Sequence, residues 1–149
     1  MIHATTVSPR WTWLVARGVG ALAVLTVGVV HLQQWRGPYA AIPTIGTLFI
    51  LNFAAATAIG LALLSPLEHA AGRFAGAAIA LVTVSGIVLA AASLALLYIS
   101  EHRPLFGFQE PGYDPAAIAT SRLAEIVAVI ALGASLVARF GTRGPQRRW

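Results

Sequence analysis

An all-α fold, a bundle of four transmembrane helices with both termini on the cytoplasmic side, is what this sequence predicts. Three observations predict it. Four stretches of roughly 20 or more residues are almost wholly apolar, and at about 1.5 Å of rise per residue each can cross a bilayer. Of the 149 residues, 58% are hydrophobic and only 10% are charged, with a mean hydropathy of +0.78, well above that of a soluble domain. The arginines, finally, fall unequally on the two sides that these stretches define. A chain of this length reads as a single membrane domain over residues 1–149.

The first span is expected at about residues 13–32, after a short polar start broken by Pro9. A basic start before an apolar run suggests a signal peptide, but the run is too long. The Val29-Val30-His31-Leu32-Gln33 stretch that closes it is no small-x-small cleavage site. A retained helix is expected, with Trp11 and Trp13 as an aromatic anchor at the interface. Gly37-Pro38 signals a turn. The second span, about 42–64, tolerates Pro43 in its first turn, carries Asn52 near its middle and ends at Ser65-Pro66. Leu67–Gly72 is a tight connection with Glu68 and His69. The third span covers about 73–99, and the long loop 100–115 mixes charge with Leu105, Phe106, Phe108 and Tyr113. Asp114 before Pro115 suits the N-cap of a fourth span at about 116–138, and the basic tail 139–149 follows.

Small residues recur at four-residue spacing: Gly20-Val24-Gly28, Asn52-Ala56-Gly60 and Gly72-Gly76-Ala80. Such faces let helices approach closely, within one chain or between copies. A left-handed bundle is expected. With four spans, Arg10, Arg17, Arg73, Arg139, Arg143, Arg147 and Arg148 share a side with Glu68, while the other side holds Arg36 and Arg103 against Glu101, Glu110 and Asp114. The positive-inside rule places the arginine-rich side in the cytoplasm and the chain in the plasma membrane as a multi-pass protein. The net charge of +5 is explained by that bias and calls for no nucleic acid. The expected partners are the lipid bilayer and a second copy or a larger membrane complex.

The candidate site residues gather toward the outer side: His31, Asn52, Glu101, His102, Arg122 and Glu125. Charges inside a membrane helix cost about 2.5–3.5 kcal/mol each on insertion scales, so Arg122 and Glu125 in the fourth span stand out. Three apart, they share a helix face and are expected to pair. Two readings stand: a polar site facing the bundle interior, or a structural ion pair near the membrane surface. Asn52 reads as an interhelical hydrogen-bonding residue or a ligand contact. His31 and His102 are candidates for acid–base chemistry or haem ligation. No HExxH or paired-histidine spacing indicates a metal, and the absence of cysteine excludes thiolate chemistry. No cofactor and no catalytic residue is identified.

The segments Val30-His31-Leu32-Gln33-Gln34-Trp35, Tyr39-Ala40-Ala41-Ile42-Pro43-Thr44-Ile45-Gly46-Thr47-Leu48-Phe49-Ile50-Leu51-Asn52 and Leu105-Phe106-Gly107-Phe108-Gln109-Glu110-Pro111-Gly112-Tyr113 resemble those of small four-span integral membrane proteins of actinobacterial type. The resemblance covers about residues 15–138. It implies a fold and a compartment, and it carries no site residues over, since that group's role is not established. A more distant similarity is to DoxX-like four-helix membrane proteins, which include redox-associated members.

Three functions remain open at this level. The first is an accessory or association subunit docking through its small-residue faces. The second is small-molecule binding or transport through an outer-facing polar cavity. The third is a haem- or quinone-associated redox protein. An enzyme is not favoured: the chain has no GxSxG, its few carboxylates are scattered, and it has no phosphate-binding loop.

Overall fold

The computed structural model describes residues 9–66 and 71–141. The 67–70 part of the expected tight connection, with Glu68 and His69, lies outside the described residues, as do the first eight residues and the tail from 142. Four long helices run antiparallel in sequence: α1 (Pro9–Arg36), α2 (Pro43–Leu64), α3 (Ala75–His102) and α4 (Pro115–Phe140). All four are long and apolar enough to cross a membrane. Short 3-10 turns at Pro38–Ala41 and Gly72–Phe74 lead into α2 and α3. The start of α1, the end of α2, the start of α3 and the end of α4 lie at one end of the bundle, the termini end. The α1–α2 turn and the 103–114 loop lie at the other, the loop end.

Prolines set most of the boundaries. Pro43 and Pro115 open α2 and α4, where the missing N–H has no intrahelical acceptor to lose. A proline also disfavours helical backbone in the residue before it. Ser65 before Pro66 and Arg103 before Pro104 are accordingly extended, with ψ of 157° and 156°, and they terminate α2 and α3. The Asp114 carboxylate accepts the Ala117 N–H at 3.0 Å and caps α4, as its position before Pro115 predicts.

α1 packs along α2 on one side and α4 on the other, and α4 also packs on α3; α2 and α3 touch least among neighbours. The buried positions of α3 (Ile79, Thr83, Gly86, Ala90, Ser93) and of α4 (Ser121, Glu125, Ala128, Leu132, Ser135) alternate four- and three-residue steps, the spacing of a left-handed seam. Leu132 is fully buried and sits where Gly20 of α1 and Gly86 of α3 leave room; a Cβ at either glycine would collide with its side chain. Gly28 faces Ala56, and Gly60 faces Leu25. The small residues of α1 and α2 are therefore contact positions. The Gly72-Gly76-Ala80 face is not one among the described residues: a Cβ on Gly76 would meet nothing there within 4 Å.

At the termini end two residues depart from expectation. Trp13 is only 8% exposed, packed in the bundle with the Arg17 and Arg139 guanidiniums 5.3 and 4.3 Å from its ring centroid, whereas Trp11 is exposed. Arg17 is buried rather than merely flanking the span. Its Nε donates to the Leu63 carbonyl at 2.5 Å and its guanidinium NH2 to the Ser65 carbonyl at 2.6 Å. The last carbonyls of a helix have no intrahelical donor and carry partial negative charge, so a cation there satisfies both needs.

Candidate functional site

A cavity of about 330 Å³ occupies the loop-end half of the bundle. Its walls are mostly apolar, from Ile45, Leu48 and Phe49 on α2 and Leu89, Leu96 and Leu97 on α3. The exposed lining residues Leu51, Ala92 and Leu96 lie on α2 and α3, so the cavity opens sideways between these two loosely joined helices. Small side chains on both, Ala55 and Ala92, leave volume there because the backbones do not close up to fill it.

The loop forms the roof. Leu105 and Phe108 exchange backbone hydrogen bonds of 2.7 and 2.9 Å around Phe106 and Gly107, both at positive φ, as a tight I′-like hairpin turn requires. Glu110 ties this roof to the bundle: its N–H donates to the Ser100 carbonyl at 2.8 Å, and its carboxylate accepts the Tyr39 hydroxyl at 2.5 Å and the Gly112 N–H at 2.8 Å. Tyr39 is buried, stacked on Phe49 at 4.6 Å and edge-on to Phe108 at 5.8 Å. A Cβ on Gly46 would strike the Tyr39 carbonyl oxygen, so glycine lets the α1–α2 turn lie against α2. Burial and the Glu110 acceptor push the Tyr39 phenol well above its ordinary range. Gln34 donates to Asp114 at 2.9 Å, joining the end of α1 to the start of α4. The Ala117 N–H and Gln34 together hold the Asp114 carboxyl below its usual range.

At the base of the cavity lies a polar chain built from three helices. Glu125 of α4 is fully buried, about 15 Å along the axis from Pro115 at ~1.5 Å per residue. Its Oε1 accepts from Ser93 at 2.6 Å and Ser121 at 3.0 Å. Ser93 Oγ also lies 3.3 Å from His31 Nε2, and His31 Nδ1 lies 2.8 Å from the Val27 carbonyl. A carbonyl only accepts, so Nδ1 carries hydrogen. The remaining proton of the chain has two homes on the same heavy atoms. In one arrangement His31 is an imidazolium donating to Ser93, which donates to a Glu125 carboxylate. In the other, a protonated Glu125 donates to Ser93, which donates to His31 Nε2. The Ser93 hydroxyl is thus placed to pass a proton between His31 and Glu125. Glu125 Oε2 and Asn52 Oδ1 are buried and have no hydrogen-bond partner among the described residues; both side chains line the cavity.

Of the six residues singled out in the sequence, the structure brings His31, Asn52 and Glu125 to this cavity. The other three lie elsewhere. Arg122 does not form the expected pair with Glu125; it donates to both carboxylate oxygens of Glu101, at 2.6 and 2.7 Å. The reason is the step between neighbouring faces. Glu125 lies on the α4 seam with Ser121, while Arg122 lies one residue off it, 45% exposed, beside the end of α3. His102 is exposed, tilted against the Tyr98 ring and bonded to the Tyr98 carbonyl, so it does not share a cavity with His31 as a second haem ligand. Ser93 and Ser121 were not legible as site residues. Their one signal is that they occupy seam positions in line with buried Ala and Leu.

No family model, curated protein or solved structure matches the chain. The geometry of the cavity therefore carries the functional argument.

Proposed function

We propose that the chain is a multi-pass plasma-membrane protein, termini in the cytoplasm, that binds a small amphipathic molecule in this cavity. The orientation rests on the arginine bias of the termini side. The binding reading rests on one observation: a mostly apolar cavity, open between α2 and α3, is lined by Asn52 and Glu125, whose Oδ1 and Oε2 are buried acceptors without a hydrogen-bond partner among the described residues. Buried polar atoms are almost always paired, and a ligand with an apolar body and a donor head satisfies both sets of walls. A lateral opening suits a molecule that arrives dissolved in the bilayer.

The test is equilibrium dialysis of 4-phenylbutanol against the full chain in phosphatidylcholine nanodiscs, with empty discs as blank. Saturable uptake by the protein is expected, with loss in Ala55→Phe, which fills the cavity. Uptake no greater than in empty discs, for this alcohol and for its amine analogue alike, would overturn the reading.

A second reading is association with another copy through α3. It is favoured by the open side of that helix at Gly76, where a Cβ would meet nothing within 4 Å among the described residues. The chain has no cysteine, so a single Gly76→Cys variant should crosslink to a dimer in membranes. A monomer under oxidising conditions would remove that reading.

A further inference from the structure

The charge of the cavity narrows the ligand class. Carboxylates and arginines are distributed unequally around it. Glu110 and Glu125 line it, and no arginine among the described residues does. The oxygens of Glu110 are already engaged by Tyr39, Gly112 and Tyr113. Glu125 Oε2 is thus the carboxylate oxygen without a hydrogen-bond partner among the described residues, on a fully buried side chain that lines the cavity. Arg122, the cation on the same helix, donates to Glu101. The rings of Tyr39, Phe49 and Phe108 stand in the same cavity, and aromatic faces attract organic cations, more so when water is excluded.

We propose that the cavity takes a lipophilic organic amine in its ammonium form, with Glu125 as the counter-charge and Asn52 Oδ1 as a second acceptor. This rests on the binding reading above and adds the charge of the ligand. The groups facing Glu125 are His31 on α1, Ser93 on α3, and Ser121 and Arg122 on its own helix. Across the cavity are Asn52 on α2, Tyr39 on the turn and Glu110 on the loop. Leaving net charge buried in apolar surroundings is costly. The empty site therefore keeps one proton on the His31–Ser93–Glu125 chain. When an ammonium enters, that proton leaves to water and the imidazole and carboxylate remain. One positive charge comes in and one goes out, so the site stays neutral and binding tightens as pH rises.

The experiment compares 4-phenylbutylamine with 4-phenylbutanol, nearly the same shape, by dialysis against the full chain in uncharged-lipid nanodiscs. Roughly tenfold or greater preference for the amine is expected, as a charge-assisted bond provides. That preference should grow between pH 6 and 8, with about one proton released per amine bound, as linkage requires. Glu125→Gln should reduce the ratio to near one. Glu101→Gln, which alters the rim pair outside the cavity, should keep it. Equal binding of the two probes to the unmodified chain would overturn the amine assignment and leave the binding reading intact. Binding of neither would overturn both. An amine preference that survives in Glu125→Gln, or that ignores pH, would also overturn it. The comparison on the unmodified chain decides the matter even if Glu125→Gln fails to fold.

Discussion

The two ends of the bundle use buried polar groups in opposite ways. At the termini end, Arg17 reaches the Leu63 and Ser65 carbonyls and closes the junction of α1 with α2. Just inside it the packing is close, with Leu132 seated between Gly20 and Gly86. At the loop end, Glu125 is fully buried, yet one of its oxygens has no hydrogen-bond partner among the described residues. Both regions are built from the same Ala, Val, Leu and Gly. Small residues tighten an interface only where the backbones approach. Between α1 and α2 they do, at Gly28 and Ala56; between α2 and α3, Ala55 and Ala92 leave a void instead. Arg17, paired with two carbonyls, serves the fold, whereas Glu125, with one oxygen unpaired beside a cavity, is available to something else. Trp13 Nε1 also lacks a hydrogen-bond partner among the described residues, but its side chain does not line that cavity.

That contrast has a direct stability test. Arg17→Ala leaves two carbonyls at the end of α2 without their donor, and removing one partner of a buried charged bond costs about 2–4 kcal/mol. Glu125→Gln keeps acceptors for Ser93 and Ser121 and should change stability by no more than about 1 kcal/mol. Unfolding in mixed micelles, titrated with sodium dodecyl sulfate, measures both. If Glu125→Gln costs as much as Arg17→Ala, the polar chain is structural and the comparison breaks.

Part of this was legible beforehand. Length and hydropathy mark the four helices, because a helix in lipid must be long and apolar whatever it packs against. Asp114-Pro115 marks the cap of α4 through local chemistry alone. The side of each helix that faces the bundle was not legible, because lipid and protein interior are equally apolar and hydrophobic periodicity fades. For that reason the three-residue spacing of Arg122 and Glu125 suggested a pair. One residue of rotation puts the first on the rim and the second in the core. Arg17 counted only as a flanking charge for the same reason, since its reach to α2 depends on a contact 46 residues away. Ser93 and Ser121 carry no signal apart from their neighbours in space.

The roof offers the next largest effect. Tyr39→Phe removes the hydroxyl donated to Glu110 and should cost about 1–2 kcal/mol, with faster amide exchange across the 103–114 loop and little change around Arg17. An equal rise in exchange at both ends would mean that the loop does not fold as a local unit. The raised phenol also gives a pH signature. Its contribution is complete below the ordinary tyrosine value of ~10 and fades as pH rises above it, because the unfolded chain ionises first. The rim pair is smaller still. Arg122 is 45% exposed, so a double-mutant cycle with Glu101 should give no more than about 1 kcal/mol, and less in high salt. A larger value, insensitive to salt, would make the α3–α4 rim part of the core rather than its edge.

The least effect in size is the most local in reach. Asp114 holds the first turn of α4 through the Ala117 N–H and holds α1 through Gln34. These two donors, the Ala117 N–H foremost, depress its folded value. The stabilisation they give is therefore present above the ordinary aspartate range of ~4 and is lost as pH falls through the lowered folded value. Amide exchange at Ala117, corrected for the intrinsic rate, should accelerate over that acidic window while the middle of α4 stays protected. Asp114→Asn should flatten the response, because asparagine caps a helix well without titrating. A response that persists in Asp114→Asn would detach the acid sensitivity from this cap. The Arg17 bonds to Leu63 and Ser65 at the opposite end run to backbone carbonyls and involve no carboxylate. Acid sensitivity should therefore begin at the loop end, at the start of the helix that carries Glu125.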